Sequence, residues 1–442
     1  MQGKAALDQI QWVGFDFGTT NSAIATAPAV GEPSLFGFPT RDGARTTFPS
    51  VLYFDPRRQG TRQAPPIAGF PAIERYLDAE PKGRFIQSLK TFLPDRSFDG
   101  TAIGGQKFTL EKLIALIVGH MIDEIGPAWP APRRVILGRP VHYSNDRDAD
   151  ANAFAADRVA RAVRLAGIEE IVFEYEPVAA AYAYEQRLNR DERILIGDFG
   201  GGTSDFTIVS IGPGVRGAGR SASDIIGTDG VALAGDAFDR KIVRHLVAPR
   251  LGLGDDFISP PRNVLPVPSW PYERLERWHH LSFLKSSETL EMLSRVQHGA
   301  VSPERIEAFV FLIENELGYE LHESVRRAKF ELSAGLETEF FFESHPVAIR
   351  TTVTRADFEG WIAEELDAIG SCVDRLIGDS TLAFADIDRV FLTGGSSFVP
   401  AVRQIFVDRF GGDKISGGEE LTSVATGLSL RAREQWPAPS ST

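Results

Sequence analysis

The stretch Val13-Gly14-Phe15-Asp16-Phe17-Gly18-Thr19-Thr20 decides the fold, and it runs directly into the alternating residues Asn21–Ala27. The same order of residue types returns at Ile196-Gly197-Asp198-Phe199-Gly200-Gly201-Gly202-Thr203, followed by SDFTIVS over Ser204–Ser210. Each copy reads as a strand, a tight glycine turn and a second strand. Each carries Asp-Phe-Gly at the end of its first strand. Two copies so far apart predict two related halves, each with its own sheet. Ligands of such sheets bind in the crevice beyond the strand ends. The predicted fold class is therefore α/β: two lobes, each a mixed sheet flanked by helices, with one ligand clamped in the cleft between two facing hairpins.

The turns indicate what that ligand is. A phosphate chain needs several donors close together, and glycine lets main-chain N–H groups approach it. Successive N–H groups in such a turn form an anion-binding nest. Gly18-Thr19-Thr20 and Gly200-Gly201-Gly202-Thr203 supply two nests with hydroxyls beside them. Asp16 and Asp198 would repel bare phosphate. They make sense with a divalent cation between, since magnesium takes few carboxylates alongside waters and phosphate oxygens. The plain structural alternative is two ordinary hairpins whose aspartates and threonines bond their own turns.

Composition narrows the rest. The chain has 442 residues, 47 basic and 60 acidic side chains and a formal net charge of -13. With 43 % hydrophobic residues it is a folded chain of several domains, not a disordered one. The acidic balance argues against a nucleic-acid partner held by bulk charge. The single cysteine, Cys372, excludes a disulfide framework. The first residues show no signal peptide, and no apolar run is long enough to span a bilayer. The expectation is a cytoplasmic protein with no membrane partner.

Around the hairpins, 31–66 reads as turn-rich and Leu110–Ile125 as a helix. Arg134–Leu137 reads as a strand, Asp148–Ala166 as a helix and Ile171–Tyr175 as a strand. A helix then starts near Pro177, which suits its first turn. Residues 255–272, rich in proline, read as loop. Residues 276–333 read as mostly helical, Arg389–Leu392 as a buried strand, and a helix is expected from Pro400. The expected organisation is a first lobe at 11–190 with an inserted subdomain at about 40–110, a second lobe at 191–435 with a helical insertion at about 236–335, and a frayed tail at 436–442.

With these motifs in place, the sequence resembles the nucleotide-binding domain of the seventy-kilodalton heat-shock chaperones, within the actin and sugar-kinase ATPase superfamily. Val13–Ala25 is similar to the family's first phosphate motif and Ile196–Val209 to its second. Glu176–Tyr184 (EPVAAAYAY) resembles its connecting helix, and Val390–Pro400 (VFLTGGSSFVP) its adenosine motif. The resemblance runs from about residue 12 to 432.

It implies two actin-like ATPase lobes binding ATP or ADP with Mg2+, and K+ belongs to the same expectation. Asp16 and Asp198 would hold Mg2+ and its waters. Gly18, Thr19, Thr20 and Asn21 would line the first phosphate turn, and Gly200, Gly201, Gly202 and Thr203 would cradle the β- and γ-phosphates. Glu176, Asp205, Thr203 and Asp198 form the implied catalytic group, with Asp205 and Glu176 orienting the attacking water and taking its proton. Read from the chain alone, Glu176 is also a carboxylate favoured at a helix N-terminus, and Asp205 also a solvated strand residue. Arg326, Lys329, Phe330 and Ser333 share one helix face, which the resemblance sets against the base and ribose beside Gly394, Gly395 and Ser396. Phe330 and Phe398 stand where the family has arginines. Phe330 either stacks on the base or packs into the core.

Three departures qualify the resemblance. The family's first-lobe lysine should fall at Ile73, and Lys90 is the nearest substitute unless it is a solvated helix lysine. Losing one positioned donor costs on the order of 10²–10³ in rate, so a slow ATPase is expected. No acidic-leucine linker or peptide-binding domain is expected after Arg433, as in the shorter stand-alone members described as putative chaperones. A longer helical region, about 255–325, carries Trp270, Trp278, His279 and His280, and the His pair lacks the partners a metal needs. The expected function is an ATP-binding, slowly hydrolysing, chaperone-like switch with a protein client or co-chaperone. A nucleotide-dependent scaffold or filament is the alternative, and a metabolite kinase of the same superfamily ranks below it.

Overall fold

The computed structural model describes residues 12–41, 43–56, 58–59, 62–79, 83–143, 149–185, 188–218, 224–277, 281–417 and 423–436. They form two compact units. One takes the described residues up to Ala234, Ala368–Ser397 and those from Arg403 onward; the other takes Gly235–Asp367 and Phe398–Val402.

The first unit contains two sheets built on one plan. In the first, β1 (Trp12–Asp16) pairs antiparallel with β2 (Asn21–Ala27), which pairs with β3 (Ser34–Leu35). On its other side β1 pairs parallel with β4 (Arg134–Arg139), and β4 with β5 (Glu170–Tyr175). In the second, β6 (Glu192–Phe199) pairs antiparallel with β7 (Ser204–Ile211), and β7 with β8 (Ile225–Val231). On its far side β6 pairs parallel with β13 (Arg389–Thr393), and β13 with β14 (Ile415–Gly417). The repeat read in the sequence is thus a repeat of topology.

Alternation along the strands builds two cores. Val13 and Phe15 face one core with Val135 and Leu137, closed by apolar faces of α2 (Leu110–Ile125) and α3 (Ala149–Leu165). Trp12 and Ile136 point the other way, as period-two geometry requires. They join Ile194 and Ile196 around α4 (Glu176–Glu185) and α11 (Ser423–Gln435). These two helices cross closely: a Cβ on Gly427 would lie 1.7 Å from the Ala179 carbonyl oxygen. The preceding insertion carries α1 (Gly69–Asp78), and Ile73 sits on this helix, partly exposed.

The second unit begins at α5 (Gly235–Ile242). It continues through the hairpin β9 (Asp256–Ser259) and β10 (Asn263–Pro266), helices α6 (Ser287–Gly299), α7 (Pro303–Glu314) and α8 (Gly318–Ala334), and the hairpin β11 (Glu337–Ser344) and β12 (Val347–Thr354). Helix α9 (Ala363–Asp379) and α10 (Pro400–Phe410) belong partly to each unit. One expectation is corrected here. Residues 255–272 are not simple loop, because β9 and β10 pair in register, Phe257 with Leu265 and Ile258 with Val264. Proline is tolerated because β10 is an edge strand, needing no N–H on its free side.

Candidate functional site

Both glycine turns lie in the first unit. A Cβ on Gly18 would stand 2.0 Å from the Asn21 carbonyl oxygen, so the first turn closes only around glycine. The second is held by the Gly200 N–H donating to the Thr203 carbonyl at 2.9 Å. A Cβ on Gly202 would lie 3.7 Å from Thr19 Oγ1. The two turns therefore face each other.

Four carboxylates and one lysine gather behind them. Asp16 ends β1. Asp198 and Asp205 are direct cross-strand partners on β6 and β7, so both leave the hairpin on one face. Like charges placed so are destabilising, and burial leaves them little water: Asp198 is 8 % and Asp205 1 % exposed. The reading of Asp205 as a solvated strand residue is overturned. Its Oδ1 accepts the N–H of Val141 at 2.7 Å and of His142 at 3.4 Å, tying the second sheet's hairpin to the end of β4. Its Oδ2 is buried without a hydrogen-bond partner among the described residues.

Glu176 opens α4 and is itself buried. Its Oε1 accepts from Lys90 Nζ at 2.6 Å, with both side chains nearly out of solvent. A solvated Lys90 is therefore also overturned. The lysine sits on the short helical turn Leu89–Phe92, entered through Ser88 at φ 55°. That left-handed conformation is uncommon for a residue with a Cβ, and such strain persists where surrounding structure enforces it. Lys90 is a candidate from the sequence, but its depth depends on the packing of Leu89 and Leu93 into the first core, which no local motif reveals.

The electrostatics follow from burial and crowding. Burial, then the charge of Glu176, pushes Asp16 up to about 7, with Lys90 opposing. Burial and Glu176 likewise push Asp205 up to about 7. Asp198 is raised well above the ordinary range by burial, then by Glu176, Asp16 and Asp205. Burial would lower the Lys90 ammonium, but Glu176 and Asp16 outweigh it and hold the pKa above the usual lysine value. Tyr143, missed by sequence reasoning, is part of the same field: burial, opposed by Lys90 and reinforced by Glu176, takes its hydroxyl to about 12. Val141 was missed because it acts through its backbone.

This crowd of acids, with one cation and an unpartnered buried oxygen, fits a multiply charged cation beside an anionic ligand. Among the described residues no three His, Cys, Asp or Glu side chains form a direct metal cage. Magnesium, which keeps several of its waters, needs no such cage.

Gly394 holds φ 85°, and a Cβ there would meet the Phe199 carbonyl oxygen at 2.1 Å. It therefore presses the β13 turn against the end of β6. Gly395 opens the turn Gly395–Phe398, and Ser396 is buried in it. The base-recognition candidates fall in the second unit. Lys329 pairs with Asp239 at 2.8 Å and donates to the Gly235 carbonyl at 3.2 Å. Arg326 pairs with Glu323 and lies 5.6 Å from the Tyr319 ring centroid. Ser333 Oγ donates to the Lys329 carbonyl at 2.9 Å. Phe330 is 72 % exposed and Phe398 52 %, which rules out core packing for Phe330. Trp270 opens a short helix beneath the Arg274 guanidinium, 4.6 Å from its ring. Trp278, His279, His280 and residues 437–442 of the expected frayed tail lie outside the described residues, whereas the tail's first residue, Trp436, is buried and donates its indole N–H to Glu170 Oε1 at 2.9 Å.

Duplicated five-strand paths with facing glycine turns define a two-lobed, actin-like ATPase fold. The Hsp70 protein family model matches residues 102–250 and 313–434, and the chain belongs to that family. Hsp70 family proteins bind ATP or ADP with Mg2+. The stromal 70 kDa heat shock-related protein, chloroplastic, of Pisum sativum is 26 % identical over 445 residues, covering 95 % of this chain and 52 % of the relative. Heat shock 70 kDa protein 7, chloroplastic, of Arabidopsis thaliana is 26 % identical over 435 residues, covering 93 % and 50 %. The chain thus spans about half the length of these relatives. No described helix is long and apolar enough to cross a membrane.

Proposed function

We propose that the chain binds Mg-ATP between its two glycine turns, hydrolyses it slowly and acts as a chaperone-like switch read by a protein partner. The observation that carries this reading is the crowding of the carboxylates Asp16, Asp198 and Asp205, the last two buried, all held above their ordinary pKa beside the Lys90–Glu176 pair. A fold tolerates such repulsion where a ligand relieves it.

Asp16 and Asp198 would hold Mg2+, which when bound supplies positive charge against the phosphates. Thr19, Thr20 and the amides of Gly200, Gly201 and Gly202 grip phosphate oxygens. Lys90 takes the place of the family lysine missing at Ile73 and balances charge at the terminal phosphate. Asp205 is better suited than Glu176 to take the proton of the attacking water. Its pKa is near working pH and one oxygen has no hydrogen-bond partner among the described residues, whereas Glu176 is engaged by Lys90. A base must be unprotonated, so kcat/KM falls as pH drops below about 7 in wild type. Phe330 and Phe398 offer exposed aromatic faces for a base.

Calorimetry with Mg-ATP and single-turnover hydrolysis on one sample test the reading. Tight binding with slow turnover, and ADP release above that of Asp198→Asn, is the expected result. Absence of binding overturns it.

A further inference from the structure

The first unit holds a second concavity that nucleotide binding leaves unused. It is a groove of about 670 Å³, within the range of ligand pockets. Phe98, Phe154 and Leu165 supply its apolar lining, and Leu165 is 62 % exposed. The Arg96 guanidinium lies 4.5 Å from the Phe154 ring centroid and that of Arg158 lies 5.3 Å from it.

The charges are unequally spent. Arg158 is buried and fully engaged, on Glu111 at 2.9 Å and on the carbonyls of Phe92, Asp95 and Phe98 at 3.3, 3.1 and 2.9 Å. Arg161 reaches Glu111 at 3.4 Å and Asp157 at 3.0 Å. Asp99 is taken by Lys107 at 2.6 Å. Both acids lining the groove are therefore neutralised. Arg164 meets no acid among the described residues, and Arg96 donates only to the Asp150 carbonyl, at 3.4 Å. A molecule of net charge -13 thus keeps a cationic, aromatic groove.

We propose that this groove docks a carboxylate-rich peptide segment of a partner protein. One aromatic or aliphatic side chain sits among Phe98, Phe154 and Leu165, and its flanking acids pair with Arg96 and Arg164. Guanidinium matches carboxylate in a two-pronged geometry. An acidic molecule repels extended polyanions over a Debye length of about 8 Å, which disfavours nucleic acid and anionic membranes. A short peptide in a concave site meets the local charge first.

The test uses the full chain against an array of immobilised peptides, each with a central Phe, Trp or Leu flanked by Asp and Glu. A matched array carries Asn and Gln instead. Acidic peptides should retain the wild type, added salt should weaken retention, and Arg164→Glu should bind about tenfold less tightly. Leu165→Ser should also bind less, and Arg164→Lys should recover part of the loss. Both side chains are exposed, so unchanged melting temperatures separate lost docking from lost folding. Equal retention on both arrays, no retention, or an unaffected Arg164→Glu overturns the proposal. Arg164-dependent pelleting with phosphatidylserine vesicles, with the array blank, would reassign the groove to a membrane surface.

Discussion

At the residue scale, the Lys90–Glu176 pair carries the sharpest expectation. Removing one partner of a buried pair leaves the other charge uncompensated, at about 3–5 kcal/mol. Lys90→Met should therefore destabilise the fold and also reduce ATP turnover by on the order of 10²–10³. Lys90→Met with Glu176→Gln should recover much of the stability but not the turnover; denaturant melts and single-turnover assays on both variants would show this. Phe330 behaves in the opposite way. It is 72 % exposed, so Phe330→Ala should leave the melting temperature within about 1–2 °C. If the side chain stacks on the base, nucleotide affinity should drop by about 1–3 kcal/mol; equal affinities by calorimetry would end that role. Asp16 and Asp198 were legible because each closes a glycine motif. Lys90 was legible only as a candidate, because a lysine on a short turn says nothing of its depth.

At the element scale, α4 and α11 cross with their backbones close together. Small residues, Ala179, Ala180 and Ala181 against Gly427, bring the helices together, and a Cβ on Gly427 would collide with main chain. Backbone cannot yield as a flexible side chain does, so Gly427→Ala should cost about 2 kcal/mol or more, read as a lower denaturant midpoint. Gly217→Ala, where an added Cβ meets nothing within 4 Å, serves as the control. Helix α2 was readable to its end residues because eight apolar side chains recur at helical spacing behind Thr109, which caps it. Hairpin β9–β10 was not, because five prolines between Pro260 and Pro271 resemble loop punctuation. Its first strand is also bridged at Phe257 by Ala300, from far along the chain.

At the scale of the whole molecule, the crowded acids set how stability responds to pH. Asp16 and Asp205 have folded pKa values near 7 against 3.8 in the unfolded chain. Between those values the folded state holds more protons, so unfolding free energy falls as pH rises. The ligand-free protein should lose stability from pH 5 to pH 8, by on the order of a few kcal/mol. Asp198→Asn should flatten that slope and raise stability at pH 8. Urea midpoints across this range would decide it, and a stability rising toward pH 8 would contradict the crowded-acid description. The duplicated architecture was legible from two glycine stretches, since a repeated motif implies a repeated sheet. The electrostatic tension was not, because it arises only when both copies share one interior.

The sheet begun at Trp12 has a consequence for synthesis. The Trp12 indole N–H donates to the Trp436 carbonyl, 424 positions away, and α11 covers β1 throughout the second core. At about 5–20 residues per second, a ribosome takes roughly 20–85 s to deliver α11 after β1 has emerged. During that interval Trp12 and its neighbours on the same strand face have no α11 to cover them. Over that stretch of synthesis a member of the Hsp70 family thus presents the kind of apolar strand that chaperones hold.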